Sequence, residues 1–280
     1  MTPAVVGASS AVRVPRGAPA RPGVTFVRAL AAEWTKLTSV AAHAWLALGT
    51  VAVAAGTAFG FGMFVRPDDG RSGSWVVVSG FVLAQLGFLL LGALVATSEY
   101  TTGTARTTFV AVPRRLTVLG AQVLVTAAAA LLTALAALGA AYLATVSARA
   151  GDAPALDLSV PGTSRALLGF VVVSAAVALL GLGLGALLRR PADALVTGVV
   201  LVIFADHLLG MFPGRVTDTL RALLPSAGTR LLQDDAALAG LDAATHGPRL
   251  GLWGGGVVVV AWVLVALGAA AYRLRHHDVR

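Results

Sequence analysis

Residues 164–188 read SRALLGFVVVSAAVALLGLGLGALL, and between Arg165 and Arg189 there is no charged residue. In helical form, at 1.5 Å per residue, such a run crosses a hydrocarbon layer about 30 Å thick. It lacks the strict apolar–polar alternation of a barrel strand and is about twice as long as one. The stretch is therefore a membrane-spanning helix. The same reading gives five more runs of this character: 41–65, 76–97, 116–146, 194–212 and 250–272. The third is long enough to tilt or to project beyond the bilayer. Trp45, Trp75 and Trp253 fall near expected span ends, where indole rings favour the membrane–water interface.

The composition agrees with this reading. With 57% hydrophobic residues, 12% charged residues and a mean hydropathy of +0.84, the chain carries more apolar surface than one soluble core can bury. The sequence contains no cysteine, which excludes disulfides and thiolate metal sites. Its net charge of +8 is almost entirely arginine, because Lys36 is the only lysine. Those charges sit between apolar runs and not along one stripe, so the pattern does not describe a nucleic-acid surface. The expected fold class is all-α: a polytopic membrane protein of about six spans with an N-terminal amphipathic interfacial helix.

Ahead of the spans, residues 1–23 hold Pro15, Pro19, Pro22, Gly17 and Gly23 among Arg13, Arg16 and Arg21. This composition reads as a flexible cytoplasmic tail. A secretory signal is not expected, because the first apolar run begins about forty residues in and is longer than an h-region. From 24 to 39, Val27, Leu30, Trp34 and Leu37 recur at helical spacing, with Arg28, Glu33 and Lys36 on other faces. This is the interfacial helix, and an extension of the first span is its alternative. Residues 40–280 form the membrane domain.

The basic residues set the orientation. With the N-terminus inside, Arg28, Lys36, Arg106, Arg114, Arg115, Arg189, Arg190, Arg273, Arg275 and Arg280 join the tail in the cytoplasm. Arg66, Arg71, Arg149, Arg165, Arg215, Arg221, Arg230 and Arg249 lie outside, half of them in one long loop where the positive-inside rule counts for little. Both termini are thus expected in the cytoplasm. Glycines four apart (Gly56 and Gly60, Gly181 and Gly185, Gly251 and Gly255) suit close helix approach within the bundle or at a homodimer face.

The inside loop between the second and third spans is the most informative segment. It reads SEYTTGTARTTFVAVPRR from Ser98 to Arg115. Gly103 can end the second helix, Thr104 can cap a short new one, and Pro113 must close it. Glu99 sits at a helix C-terminus and on a cytoplasmic flank, both of which favour a cation, so a basic partner is expected for it.

Two elements here resemble those of the permease subunits of type-2 ABC exporters, six-helix bacterial transporters. The first is Glu33-Trp34-Thr35-Lys36-Leu37 in the N-terminal helix. The second is Ser98 to Thr107 followed by Pro113, Arg114 and Arg115. The resemblance implies a transmembrane domain that pairs with a second permease copy and with separate ATP-binding subunits, which would hold ATP and Mg. It also implies that the loop bearing Glu99, Thr104, Arg106, Phe109, Pro113, Arg114 and Arg115 is a coupling helix resting on the ATPase. Glu33, Trp34 and Lys36 would then lie in the elbow helix that transmits motion.

No Gly-x-x-x-x-Gly-Lys-Ser/Thr loop is present, so ATP hydrolysis is not expected of this chain, and no cofactor or metal is assigned to it. His-Glu-x-x-His and Gly-x-Ser-x-Gly patterns are also lacking. His276, His277 and Asp278 read as solvated tail residues. Asp206 and His207, near the outer end of the fifth span, are expected to be interfacial or paired with each other, with a role in an outer gate as the functional alternative. Between Pro213 and Arg249, Leu220, Leu223 and Leu224 after Asp218 suggest a short helix at the outer surface. The rival function is a self-contained secondary transporter or channel, which would place several ionisable groups at the membrane midplane. A membrane-bound scaffold or sensor is a third possibility. The substrate is not encoded in any of these patterns.

Overall fold

The computed structural model describes residues 25–101, 115–148 and 154–276, excepting the side chains of Pro67, Glu99, Tyr100, Thr101 and Arg115. Among the described residues the chain is helical without strands, and six helices are long and apolar enough to cross a membrane. They run Ala41–Phe64, Gly73–Ser98, Leu116–Ala148, Thr163–Leu188, Pro191–Gly210 and Gly251–His276. The protein is a multi-pass membrane protein. Each span begins or ends within a few residues of where the apolar runs placed it.

The second and fourth spans form the centre. Their apolar stretches are 72% and 67% buried, against 17% for the fifth and 22–28% for the other three. In lipid, helices gain little from hiding apolar side chains from their neighbours, so close packing must hold the bundle together. That packing is visible in the edge-to-face contact of Phe81 and Phe170, with centroids 5.8 Å apart. Phe88, Leu89, Val173, Val177 and Leu180 fill the space beside it. Ser79 and Gly80 interrupt the second span, where a Cβ on Gly80 would lie 2.4 Å from the Ala54 carbonyl oxygen of the first. The third span is part of a 34-residue helix, Arg115–Ala148. At about 51 Å it outruns the hydrocarbon layer, as its length in the sequence suggests.

At the N-terminal face, Leu37 joins Val95, Ala96, Leu119, Leu182, Ala270 and Leu274 in one cluster, gathering the ends of the second, third, fourth and sixth spans. The fourth span stops at Arg189 in the left-handed region (φ 60°), and Pro191 opens the fifth at its first helical position. Arg273 from the sixth span donates to the Leu187 carbonyl, satisfying one of the orphan acceptors of that terminus.

The opposite, distal face carries the loops. The segment before the sixth span contains the short amphipathic helix read from the leucines, here Arg215–Leu223. It is not confined to the surface. Trp262, about 16 Å along the sixth span, donates its indole N–H to the Leu223 carbonyl at 2.8 Å. A buried 3-10 segment, Pro225–Leu232, then returns between the fourth and sixth spans. Glycine makes room for it: a Cβ on Gly169 would lie 2.3 Å from the Leu231 carbonyl oxygen, and one on Gly255 2.0 Å from that of Ala227. A last helix, Asp235–Ala244, is capped by Asp234, whose Oδ1 accepts from Ala237 N–H at 2.8 Å.

Candidate functional site

On the N-terminal face, the helix Phe26–Ser39 opens at Thr25, whose hydroxyl accepts from Arg28 N–H, and packs on the start of the third span. The apolar positions Val27 and Trp34 are exposed, whereas Ala29 and Glu33 turn inward. An inward carboxylate differs from the sequence reading, in which the charges lie away from the packed face. The i, i+3 spacing explains how it is tolerated: Lys36 Nζ lies 2.6 Å from Glu33 Oε1, with the carboxylate covered and the lysine partly in solvent. Trp34 and Val27 are left to face the bilayer interface.

The second span extends in helical form through Glu99 to Thr101, and the helix of the third begins at Arg115. Thr104, Arg106, Phe109, Pro113 and Arg114 lie outside the described residues, as do the side chains of Glu99 and Arg115 and residues 1–24, 277 and 278. His276 is described: its Nδ1 lies 3.0 Å from the Tyr272 carbonyl and its ring stacks on that tyrosine at 4.3 Å. No cluster able to hold a metal ion occurs among the described residues.

On the distal face, Asp206 and His207 do not pair with each other. Asp206 Oδ1 accepts from Arg221 Nε at 3.1 Å, and His207 Nδ1 lies 2.8 Å from the Ile203 carbonyl. Consecutive residues of a helix project about 100° apart, so neighbours in sequence cannot face one another as residues three or four apart can. Asp206 belongs instead to a larger cluster. Asp218 Oδ2 accepts the backbone N–H of His246 at 2.9 Å and lies 3.2 Å from His246 Nδ1, and its Oδ1 is 4.0 Å from Arg221. The His246 backbone donor, chiefly, holds the Asp218 carboxyl below the ordinary carboxylate range, its ring and Arg221 assisting, while desolvation acts in the opposite direction. Arg230 pairs with Asp242 beside them. Asp206, Asp218, Arg221 and Arg230 line a polar chamber of about 150 Å³ whose remaining wall includes Ser226, Thr229 and Thr245 beside Leu241 and Leu250.

A second set of contacts fastens the distal loops together. Arg165 Nη1 donates to Asp235 Oδ1 at 2.7 Å and its Nη2 to the Gln233 carbonyl at 2.8 Å, while Ser72 donates to Asp234. The loop after the first span, the start of the fourth and the segment before the sixth therefore meet on one side of the bundle. Sequence reasoning missed these partners. The Asp218–Arg221 spacing was a local signal, but Ser72 and Asp234 lie 162 residues apart.

An apolar groove of about 740 Å³ runs between the first, second and fifth spans, lined by Trp45, Val53, Leu83, Leu90, Leu195 and Val199 among others. Nothing lies within 4 Å of a Cβ placed on Gly49, Gly56 or Gly60 of the first span, whereas Gly181 and Gly185 are packed against the second span and Gly255 against the Pro225–Leu232 segment. Compared with known proteins, the chain matches no family model and no curated protein.

Proposed function

We propose that this chain is the transmembrane permease subunit of an ATP-binding cassette exporter in the cytoplasmic membrane, driven by ATP that separate subunits bind and hydrolyse. The observation that supports the reading is the position of the first element beside the end of the second span, at which the second element begins. Glu33–Leu37 and the end of the second span meet at the N-terminal face, where Leu37 packs beside Val95 and Ala96. An elbow helix docked beside the entry to a short intracellular loop is the arrangement that could pass motion from an ATPase to the spans. The loop containing Glu99, Thr104, Arg106, Phe109, Pro113, Arg114 and Arg115 is the proposed contact. The open Gly49, Gly56 and Gly60 face of the first span supports pairing with a second permease copy.

The test is co-purification with the cognate ATP-binding subunit and its ATP turnover in reconstituted membranes, for the native chain and for Arg106→Glu. Reversing a charge at a packed intracellular contact should abolish recruitment and stimulation together, while membrane insertion persists because the position lies outside the spans. Normal recruitment by Arg106→Glu and by Glu99→Arg would refute the coupling assignment. Ion-gradient-driven transport by the purified chain alone would replace it with the secondary-transporter reading.

A further inference from the structure

The fifth span is two helices in series, held in different ways. Its first part, Pro191–Val199, is built into the bundle: Ala194 is fully buried, and a Cβ on Gly198 would lie 2.6 Å from both terminal methyls of Leu89 in the second span. Its last part, Ala205–Gly210, contains no buried residue. Between them Val200–Phe204 forms a π turn, closed by Ala205 N–H donating to the Val200 carbonyl. A π turn accommodates one residue more than an α-helix does and can pass that residue along the helix, so the rotation of the last part relative to the first is adjustable at this point.

That last part is tied to its neighbour. Asp206 pairs with Arg221 on the helix Arg215–Leu223. The connection between them is drawn tight by Thr217, whose hydroxyl donates to the Phe212 carbonyl at 2.6 Å and lies 3.0 Å from that of Gly214. Residues 205–223 thus behave as one body. Its far edge meets the sixth span and the segment before it through two polar contacts, Asp218 with His246 and Leu223 with Trp262, and through Gly247, which packs on the Asp218–Thr219 backbone. Its other face, with Leu208, Met211, Phe212, Val216 and Leu220, is exposed. The polar chamber lies along the seam, with Asp206, Asp218 and Arg221 on the body and Ser226, Arg230 and Thr245 across from it.

We propose that residues 205–223 form a swinging gate, hinged at the π turn Val200–Phe204 and latched by the Asp218–His246 and Leu223–Trp262 contacts, and that its release opens the polar chamber. The inference concerns how the spans move and does not depend on the ATPase-driven reading. The chain has no cysteine, so labels can be placed in an otherwise native background. Spin labels at Leu132 and Leu208 report the gate, and labels at Leu132 and Val196 report the fixed half of the same span. All three positions are exposed.

In the full-length chain in lipid nanodiscs, double electron–electron resonance should give one dominant distance for each pair. Trp262→Phe removes a single indole donor and keeps an aromatic ring. It should raise the population of a second Leu132–Leu208 distance by about two- to tenfold, the range expected for one hydrogen bond, and leave the Leu132–Val196 distance unchanged. Asp218→Asn should act in the same direction, and the two substitutions together should exceed either alone. An unmoved Leu132–Leu208 distance in both single variants, or a Leu132–Val196 distance that shifts equally, would overturn the proposal.

Discussion

Replacing Gly92 with alanine tests the packing that places every other element. A Cβ at this position would sit 1.8 Å from the Ala178 carbonyl oxygen and 2.7 Å from Leu182 N, both backbone atoms of the fourth span. Ordinary contact begins near 3.4 Å, so the second and fourth spans would have to separate by roughly 1.6 Å. No side-chain rotation can relieve the clash. The reciprocal position is equally tight, with a Gly181 Cβ 2.2 Å from the Leu89 carbonyl oxygen. Overpacking of this kind costs about 1–3 kcal/mol, and a rigid backbone neighbour puts Gly92→Ala toward the upper end. Alanine recovers up to about 1 kcal/mol of helix propensity, which leaves a net loss.

Gly56→Ala is the control. Nothing lies within 4 Å of its Cβ, so it should be neutral or slightly stabilising to the monomer. The assay is equilibrium unfolding in mixed micelles at increasing denaturing detergent, followed by circular dichroism and tryptophan emission. Equal midpoints for the two variants would refute the account of the second and fourth spans as a backbone-to-backbone core.

The latch should respond to acid. Because its surroundings hold the Asp218 carboxyl below the ordinary carboxylate range, the Asp218 half of the latch is complete at neutral pH and weakens as pH falls through that lowered value. The protection of the His246 amide against exchange, corrected for the intrinsic pH dependence of exchange, should therefore fall only in acid, and Asp218→Asn should remove the acid transition; a transition near neutrality would mean another group controls the contact. For orientation, a cysteine at the exposed Leu158 should react with an impermeant thiol reagent on intact cells and one at the exposed Arg28 only after lysis, and the opposite pattern would invert the topology.

The spans were legible because an uncharged run long enough to cross a bilayer carries its own evidence. The run from Ala166 to Leu188 needs no tertiary partner to identify it. The π turn was not legible, since nothing in Val200-Leu201-Val202-Ile203-Phe204 distinguishes it from a regular helix. The distal helix was half legible. Leu220 and Leu223 marked its amphipathic face, but its depth depends on Trp262, and that of the segment after it on Gly169 and Gly255, which are far from them in sequence. Glu33 shows a different limit. The i, i+3 partner Lys36 was visible, but that the pair would let a carboxylate turn inward depends on how the helix packs against the third span.

The distal ion pairs also bear on orientation. Counted from sequence, the arginines assigned outside weaken the case for cytoplasmic termini. In the structure three of them have local partners: Arg165 with Asp235, Arg221 with Asp206, and Arg230 with Asp242, while Arg71 lies over the Trp75 ring at 4.4 Å. These residues hold the distal segments to one another and to the spans, so their number reflects the architecture of that face and is poor evidence about which way the chain inserted. The N-terminal face has paired cations of its own, Lys36 with Glu33 and Arg273 with the Leu187 carbonyl. Arg28, Arg190 and Arg275 stand exposed at helix ends or on the N-terminal helix, and so do Arg66, Arg215 and Arg249 at or near helix ends on the distal face. Weighting charges by what they contact therefore leaves exposed arginines on both faces, so the labelling of positions 28 and 158 decides which face is cytoplasmic and which side an ATP-binding partner, as proposed, would dock on.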